Sequence, residues 1–350
     1  PCKSGYTQCA FRSFFDPFGA SLIDYAAPSW LPSGHLQTIW PAKWSRRFET
    51  LAPQWRRERW STPDDDFVDV DFCEATASVL KRPLLVLFHG LEGSSESHYS
   101  QAFADWGMQH GCDIAVPHFR GCSGSLNLAP RAYHSGDHEE VDHLLRKFKQ
   151  MIDAQERPGL LAAGVSLGGN ALMRWAGEHG QSAQKVVNAV ASICSPLDLT
   201  ASGHAIGEGF NRQVYTRMFL RSMKPKAMAK LKQYPGLFDA NKLMAAQDLY
   251  GFDDVFTAPL HGFKNTDDYW LRASALQHMG NIGLPALALN AKNDPFIPSY
   301  SLPTATKVSA HVTLWQPDEG GHVGFASGSW PGHLKAMPEA VGQWLLQHIH

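Results

Sequence analysis

Short apolar runs alternate with amphipathic stretches along most of this chain. Phe67-Val68-Asp69-Val70-Asp71-Phe72 alternates apolar and polar with a period of two, the pattern of an outer strand. Residues 84–88 (LLVLF) form a continuous apolar run, as a strand buried on both faces requires. Residues 114–116, 160–165, 187–193, 286–289 and 312–315 read the same way. Between these runs the period changes. In 139–155, Val141, Leu144, Leu145, Phe148, Met151 and Ile152 recur at the i, i+3, i+4, i+7 spacing of one helical face. Residues 99–110 and 170–180 are further helices, the second ended by Gly180. Strands that alternate with helices predict an α/β protein with a mostly parallel sheet covered on both faces.

Two intervals break the alternation. Residues 197–272 hold no buried strand and are rich in Met, Phe, Tyr and Lys. That is far longer than the roughly 2–6 residues usual between α/β units, so a helical cap over the sheet is expected there, after the sixth strand. Residues 1–55 are irregular, with many aromatics and prolines, and are expected to wrap a single domain that spans 1–350.

Composition narrows the function classes. The 350 residues are 44% hydrophobic and 18% charged, with a formal charge of −2. Nothing in that balance points to nucleic acid or to an anionic membrane surface. No run approaches the roughly 20 apolar residues of a membrane span, and no basic stretch followed by an apolar run marks a signal peptide. The chain begins at Pro1, so upstream processing stays open. The six cysteines are scattered without a CxxC pair, which favours reduced thiols and a cytoplasmic location.

The chemistry is concentrated at four strand ends. Gly164-Val165-Ser166-Leu167-Gly168 follows an apolar run and opens a helix. A serine on such a sharp turn projects its hydroxyl to where a base can reach it, and Gly164 and Gly168 let helix and strand pack closely. Glycines bracket serines by chance too, so the reading needs support from elsewhere. His89-Gly90-Leu91-Glu92-Gly93 follows the run at 84–88, and the N–H groups of Leu91 and Leu167 form a candidate oxyanion hole. Each such donor typically lowers the barrier by about 3–4 kcal/mol. Asp294 follows the run at 286–289, and His322 lies in a glycine-flanked loop after the run at 312–315. The order Ser166, Asp294, His322 is that of the α/β-hydrolase triad. In it His322 accepts the serine proton and Asp294 fixes the tautomer. Asp318 is a rival acid, only four residues before His322. His134, Asp137, His138, Asp142 and His143 cluster closely enough to suggest a metal, but Ser135-Gly136-Asp137 reads as a turn and helix cap instead.

These motifs make the chain resemble the YheT/EMB8 branch of the α/β-hydrolases, whose animal members are the ABHD1/2/3-like lipases. The resemblance rests on Gly34-His35-Leu36-Gln37-Thr38-Ile39, His89-Gly90-Leu91-Glu92-Gly93, Arg120-Gly121-Cys122, Tyr133-His134-Ser135-Gly136, residues 164–170, Gly209-Phe210-Asn211-Arg212, Asn293-Asp294-Pro295-Phe296 and Gly320-Gly321-His322-Val323-Gly324-Phe325. It covers most of the chain. Asn293 stands where many relatives carry an acid. The resemblance implies carboxylester hydrolysis, with acyl transfer to alcohols known among relatives. The expectation is a serine carboxylesterase acting on small esters with apolar, short- to medium-chain acyl groups, without metal or cofactor. An alcohol acyltransferase with the same triad and a catalytically silent binding protein are the alternatives.

Overall fold

The apolar runs become the centre of an eight-stranded sheet in the computed structural model, which describes residues 14–15 and 21–22 as backbone only, then 25–49, 51–75 and 81–349. The strands are β1 (Arg56–Ser61), β2 (Phe67–Cys73), β3 (Leu84–Phe88), β4 (Asp113–Pro117), β5 (Leu160–Val165), β6 (Ala189–Ile193), β7 (Ala286–Leu289) and β8 (Val312–Trp315). Their spatial order is β8-β7-β6-β5-β3-β4-β2-β1. All neighbours from β4 through β3 to β8 are parallel, whereas β2 pairs antiparallel with both β4 and β1. Phe14–Phe15 and Ser21–Leu22 form a separate two-stranded ribbon.

Side chains of each central strand alternate between two cores. Leu84, Val86 and Phe88 join the core under helices His138–Ala154 and Leu167–His179. Leu85 and Leu87 join the core under helices His98–His110 and Ala336–Leu346. All five are fully buried, which explains the continuous apolar run.

The outermost strand is β1, not the segment that alternates in the sequence. Its sequence, Arg-Arg-Glu-Arg-Trp-Ser, carries no strand signal of its own. It is held by side chains across the register: Arg57 grips Asp71 through two hydrogen bonds of 2.6 and 2.8 Å, and Arg59 grips Asp69 at 2.7 and 2.9 Å. Planar guanidinium forks match carboxylates in this bidentate way. The polar positions that made β2 look half-exposed are therefore buried under arginines. A second departure is helix Gly34–Lys43, capped by Ser33, inside the stretch read as irregular.

Between β6 and β7 the described chain is helical, from Leu199–Ile206 to Thr266–Ala273. Asn170 stitches this segment to the body. Fully buried, its Nδ2 donates to Ser135 O (2.7 Å) and Ala273 O (2.9 Å), and its Oδ1 accepts from Ala275 N–H (2.9 Å). No helix among the described residues is long and apolar enough to cross a membrane. Asn170→Asp would remove both donations and bury a charge, so it should destabilise the fold by about 3 kcal/mol or more, read as a lowered urea midpoint.

Candidate active site

Ser166 joins β5 to helix Leu167–His179 with φ 53° and ψ −118°. A left-handed backbone at a residue with a Cβ is strained and persists only where its surroundings fix it. Here the Ser166 N–H donates to Ile193 O at the end of β6 (2.8 Å), and its carbonyl accepts from Gly169 and Asn170 (3.1 and 3.2 Å). A Cβ on Gly164 would lie 2.5 Å from Gly168 O, and one on Gly168 would lie 2.5 Å from His89 O. A Cβ on Gly90 would press on Ser166 Cβ at 3.2 Å. The three glycines thus let strand, helix and the loop after β3 meet around one serine.

The structure brings Ser166, His322 and Asp294 together. His322 Nε2 is 3.1 Å from Ser166 Oγ, and His322 Nδ1 is 2.8 Å from Asp294 Oδ2. The Asp294 side chain is fully buried, and its other oxygen accepts from Phe296 N–H (2.8 Å). An acceptor-only carboxylate assigns the proton to Nδ1, which leaves Nε2 free to accept from the serine hydroxyl. The rival Asp318 points to solvent, 84% exposed, and pairs with Lys292 at 2.7 Å.

Leu91 and Leu167 line the same cleft as Ser166 and His322. Leu167 opens its helix, where the macrodipole favours negative charge. The loop that carries Leu91 is braced from behind. His89 is fully buried, with Nδ1 donating to Gly90 O (2.7 Å) and Nε2 accepting from Phe119 N–H (3.0 Å). Burial pushes its pKa down to about 3, so it is a neutral strut. Tyr99 OH accepts from Gly90 N–H (2.8 Å), and Tyr133 OH accepts from Glu92 N–H (3.0 Å) while donating to Glu92 Oε1 (2.9 Å).

Sequence reasoning gave no role to the residues that hold the Asp294 and His322 loops in place. Gln37, on helix Gly34–Lys43, is 1% exposed. Its Oε1 accepts from Gly320 N–H (2.9 Å) and Asn293 Nδ2 (2.8 Å), and its Nε2 donates to Leu31 O (2.8 Å). Asn293 Oδ1 in turn accepts from Gly321 N–H (2.9 Å), and Thr38 Oγ1 accepts from His322 N–H (2.8 Å). An acid at 293 could not donate to Gln37, which gives the asparagine a physical reason here. The signal was present in the Gly34 to Ile39 motif, but a motif names residues and not their partners.

The cleft has an empty volume of about 1170 Å³, counted to its open mouth. Its far wall is the segment between β6 and β7, through Leu199, Ile206, Phe219, Met223, Phe252 and Phe256. The two acids of the suspected metal cluster have other partners: Asp137 pairs with Arg131, and Asp142 accepts from Arg146 (2.7 Å) and Trp175 Nε1 (3.0 Å). No group of three or more His, Cys, Asp or Glu among the described residues is arranged to hold a metal. Cys73, Cys112, Cys122 and Cys194 are free thiols, while Cys2 and Cys9 lie outside the described residues.

Residues 83–329 match the α/β-hydrolase fold family. The YheT protein of Escherichia coli (strain K12) is 34% identical over 317 residues, covering 90% of this chain and 91% of the relative. The phospholipase ABHD3 of Mus musculus is 28% identical, covering 90% of this chain and 80% of the relative. The esterase Pf2001 of Pyrococcus furiosus shares the fold at a TM-score of 0.54 and 14% identity, covering 87% of this chain and 98% of that one.

Two outcomes test this geometry. Gln37→Leu would free both catalytic-side loops, and should slow covalent labelling of Ser166 by a fluorophosphonate by about tenfold or more with the circular dichroism unchanged. The unfolded pKa of a histidine is near 6.5 and that of folded His89 about 3, so the folded state resists the proton. Stability from this residue is full above pH 6.5 and is lost as the pH falls towards 3. His89→Gln offers an amide donor and a carbonyl acceptor in place of the two ring nitrogens and does not titrate. Between pH 4 and 6 its urea stability should fall less steeply than the parent's, by about 1.4 kcal/mol per pH unit.

Proposed function

The chain belongs to the α/β-hydrolase fold family, in its YheT/EMB8 branch, and from that premise we propose that this serine hydrolase cleaves carboxylic esters of short- to medium-chain acids through an acyl-enzyme on Ser166. The observation that carries the reading is the hydrogen-bonded line from Asp294 through His322 to Ser166 on the wall of an apolar cleft. We take the chain as one domain, with 197–272 as the cap over that cleft and the described residues 25–49 as part of its N-terminal wrap; most of residues 1–24 lie outside the described residues.

Ser166 Oγ attacks the ester carbonyl as His322 Nε2 accepts its proton. Asp294 stabilises the imidazolium and holds its orientation. The carbonyl oxygen takes up the electron pair and is held by the Leu91 and Leu167 N–H groups. The tetrahedral intermediate collapses, the bond to the alcohol oxygen breaks, and His322 returns the proton to that oxygen. Water then attacks the acyl-enzyme with His322 again as base, which releases the acid and restores Ser166. Every step uses side chains and backbone of this chain. The apolar walls supplied by Leu199, Phe219 and Phe252 favour an acyl chain over a charged group.

A series of p-nitrophenyl esters tests the reading. Butyrate to decanoate should be turned over faster than palmitate, and Ser166→Ala or His322→Ala should lose at least about 10⁴-fold in kcat. A parent protein whose Ser166 is labelled by a fluorophosphonate but which hydrolyses none of these esters would sink the esterase reading. Ester formed from added ethanol in excess of free acid would replace hydrolysis with acyl transfer.

A further inference from the structure

Two carboxyl groups line the cleft: Glu92, paired with Lys226, and Asp253, which has no such cation. Asp253 opens the turn Asp253–Thr257 in the cap and lines the cleft beside Phe252, Phe256 and Thr257. Its Oδ1 accepts from Thr257 Oγ1 (2.6 Å), and its Oδ2 accepts from Trp270 Nε1 (2.9 Å). Burial and these two neutral donors are what act on it, with no opposing cation, and burial pushes its pKa up to about 6. A carboxylate with two oxygens has room for about four donors, so half of its capacity is unused.

A second polar group lines the same cleft. Ser202, on helix Leu199–Ile206, is 5% exposed, and its Oγ has no hydrogen-bond partner among the described residues. The two are linked through one indole. Trp270 donates to Asp253, and its six-membered ring packs on Gly203, where a Cβ would come within 2.4 Å of it. Asp253 and the residue next to Ser202 therefore touch the same side chain. A buried hydroxyl without a partner and a carboxylate without a cation each cost free energy until something pairs with them.

An alkyl chain that filled this end of the cleft would leave both groups dry. A hydroxyl serves both, because it donates one hydrogen bond and accepts others. An ammonium could donate to Asp253 and to the Ser202 oxygen, but would leave the Ser202 O–H without an acceptor. We propose that the Asp253–Ser202 end of the cleft is a subsite for a hydroxyl group that the ester substrate carries away from its scissile bond, donated to Asp253 with Ser202 as the second partner. The proposal rests on the ester-hydrolase reading and deepens it: the substrate class becomes hydroxylated esters instead of plain fatty esters.

The competing account makes Asp253 a tie between its own helix and Trp270. Substrate selectivity separates the two. Pairs of esters with and without one hydroxyl would be compared at equal chain length. In one series the hydroxyl is on the acid (p-nitrophenyl hydroxyalkanoates), in the other on the alcohol (hydroxyalkyl against alkyl butyrates). The reading is the ratio of kcat/KM, hydroxylated over plain, which cancels any loss of folded protein. At one hydroxyl position the ratio should exceed one in the parent, fall about tenfold or more in Asp253→Asn, and fall severalfold in Ser202→Ala. Asparagine keeps an acceptor for Trp270 and an amide for Thr257, so the thermal midpoint should move little. The series in which the preference appears assigns the subsite to the acyl or the alcohol side. A parent ratio of one at every position, or a ratio that Asp253→Asn leaves unchanged, overturns the proposal. Calorimetric binding of hydroxyalkanoic against plain alkanoic acids to Ser166→Ala reads the subsite without turnover. Where the preference lies on the acyl side, equal affinity there overturns the subsite, whereas failure of every ester in the parent overturns the hydrolase reading instead.

Discussion

Ser166 holds a backbone conformation that costs about 1–3 kcal/mol for a residue with a Cβ, and the surrounding contacts leave it no other. The turn is bonded on one side to the end of β6 through Ile193 O and on the other to the first turn of its own helix. Gly164 lets that helix close on β5 and Gly168 lets it close on the end of β3, so tightly that neither site tolerates a Cβ. The left-handed turn is what carries Oγ out of the sheet edge and towards His322. A relaxed backbone would fold the same sheet and bury the same core, but would leave the hydroxyl against its own helix.

The strained serine meets His322 only if that ring is placed with comparable precision, and His322 sits on a loop. The loop from Gly320 to Phe325 has left-handed residues at Gly321, Val323 and Phe325, so it has no regular structure to fix it. Helix Gly34–Lys43 supplies the missing rigidity. Gln37 spans the Asp294 loop and the His322 loop at once, and Thr38 holds the His322 backbone. Close approach is again set by absent side chains: a Cβ on Gly34 would meet Asn293 O at 2.0 Å, and one on Gly324 would meet Gln37 O at 1.7 Å. A segment 284 residues away in sequence thereby helps to place His322.

What the sequence made legible follows the same physics. Continuous apolar runs at β3, β5 and β6 were readable because burial on both faces removes polar choices. The Ser166 turn was readable because glycine is demanded at fixed offsets, and Asp294 and His322 followed from strand ends and order. β1 was not readable, because its partners are carboxylates of β2 and its arginines look like any exposed charged run. Helix Gly34–Lys43 was hidden because its buried positions are Gln37, Thr38 and Pro41, chosen for hydrogen bonds and close packing and not for hydrophobicity. Polar pairing between distant segments leaves no period in a sequence.

The segment between β6 and β7 shows the limit most clearly. Its composition reads as apolar, and most of its cleft wall is. Its position, however, is set by polar groups. Lys230 donates to Asn127 O (2.7 Å) and Ala129 O (2.8 Å) on the body, and Lys226 pairs with Glu92 (2.9 Å), one residue from the Leu91 N–H. Asn170 fixes its return strand-side end at Ala273 and Ala275. The same segment that walls the cleft thus also bears on the loop that carries Leu91. A change in this segment would therefore reach the loop that carries Leu91 through the Lys226–Glu92 pair.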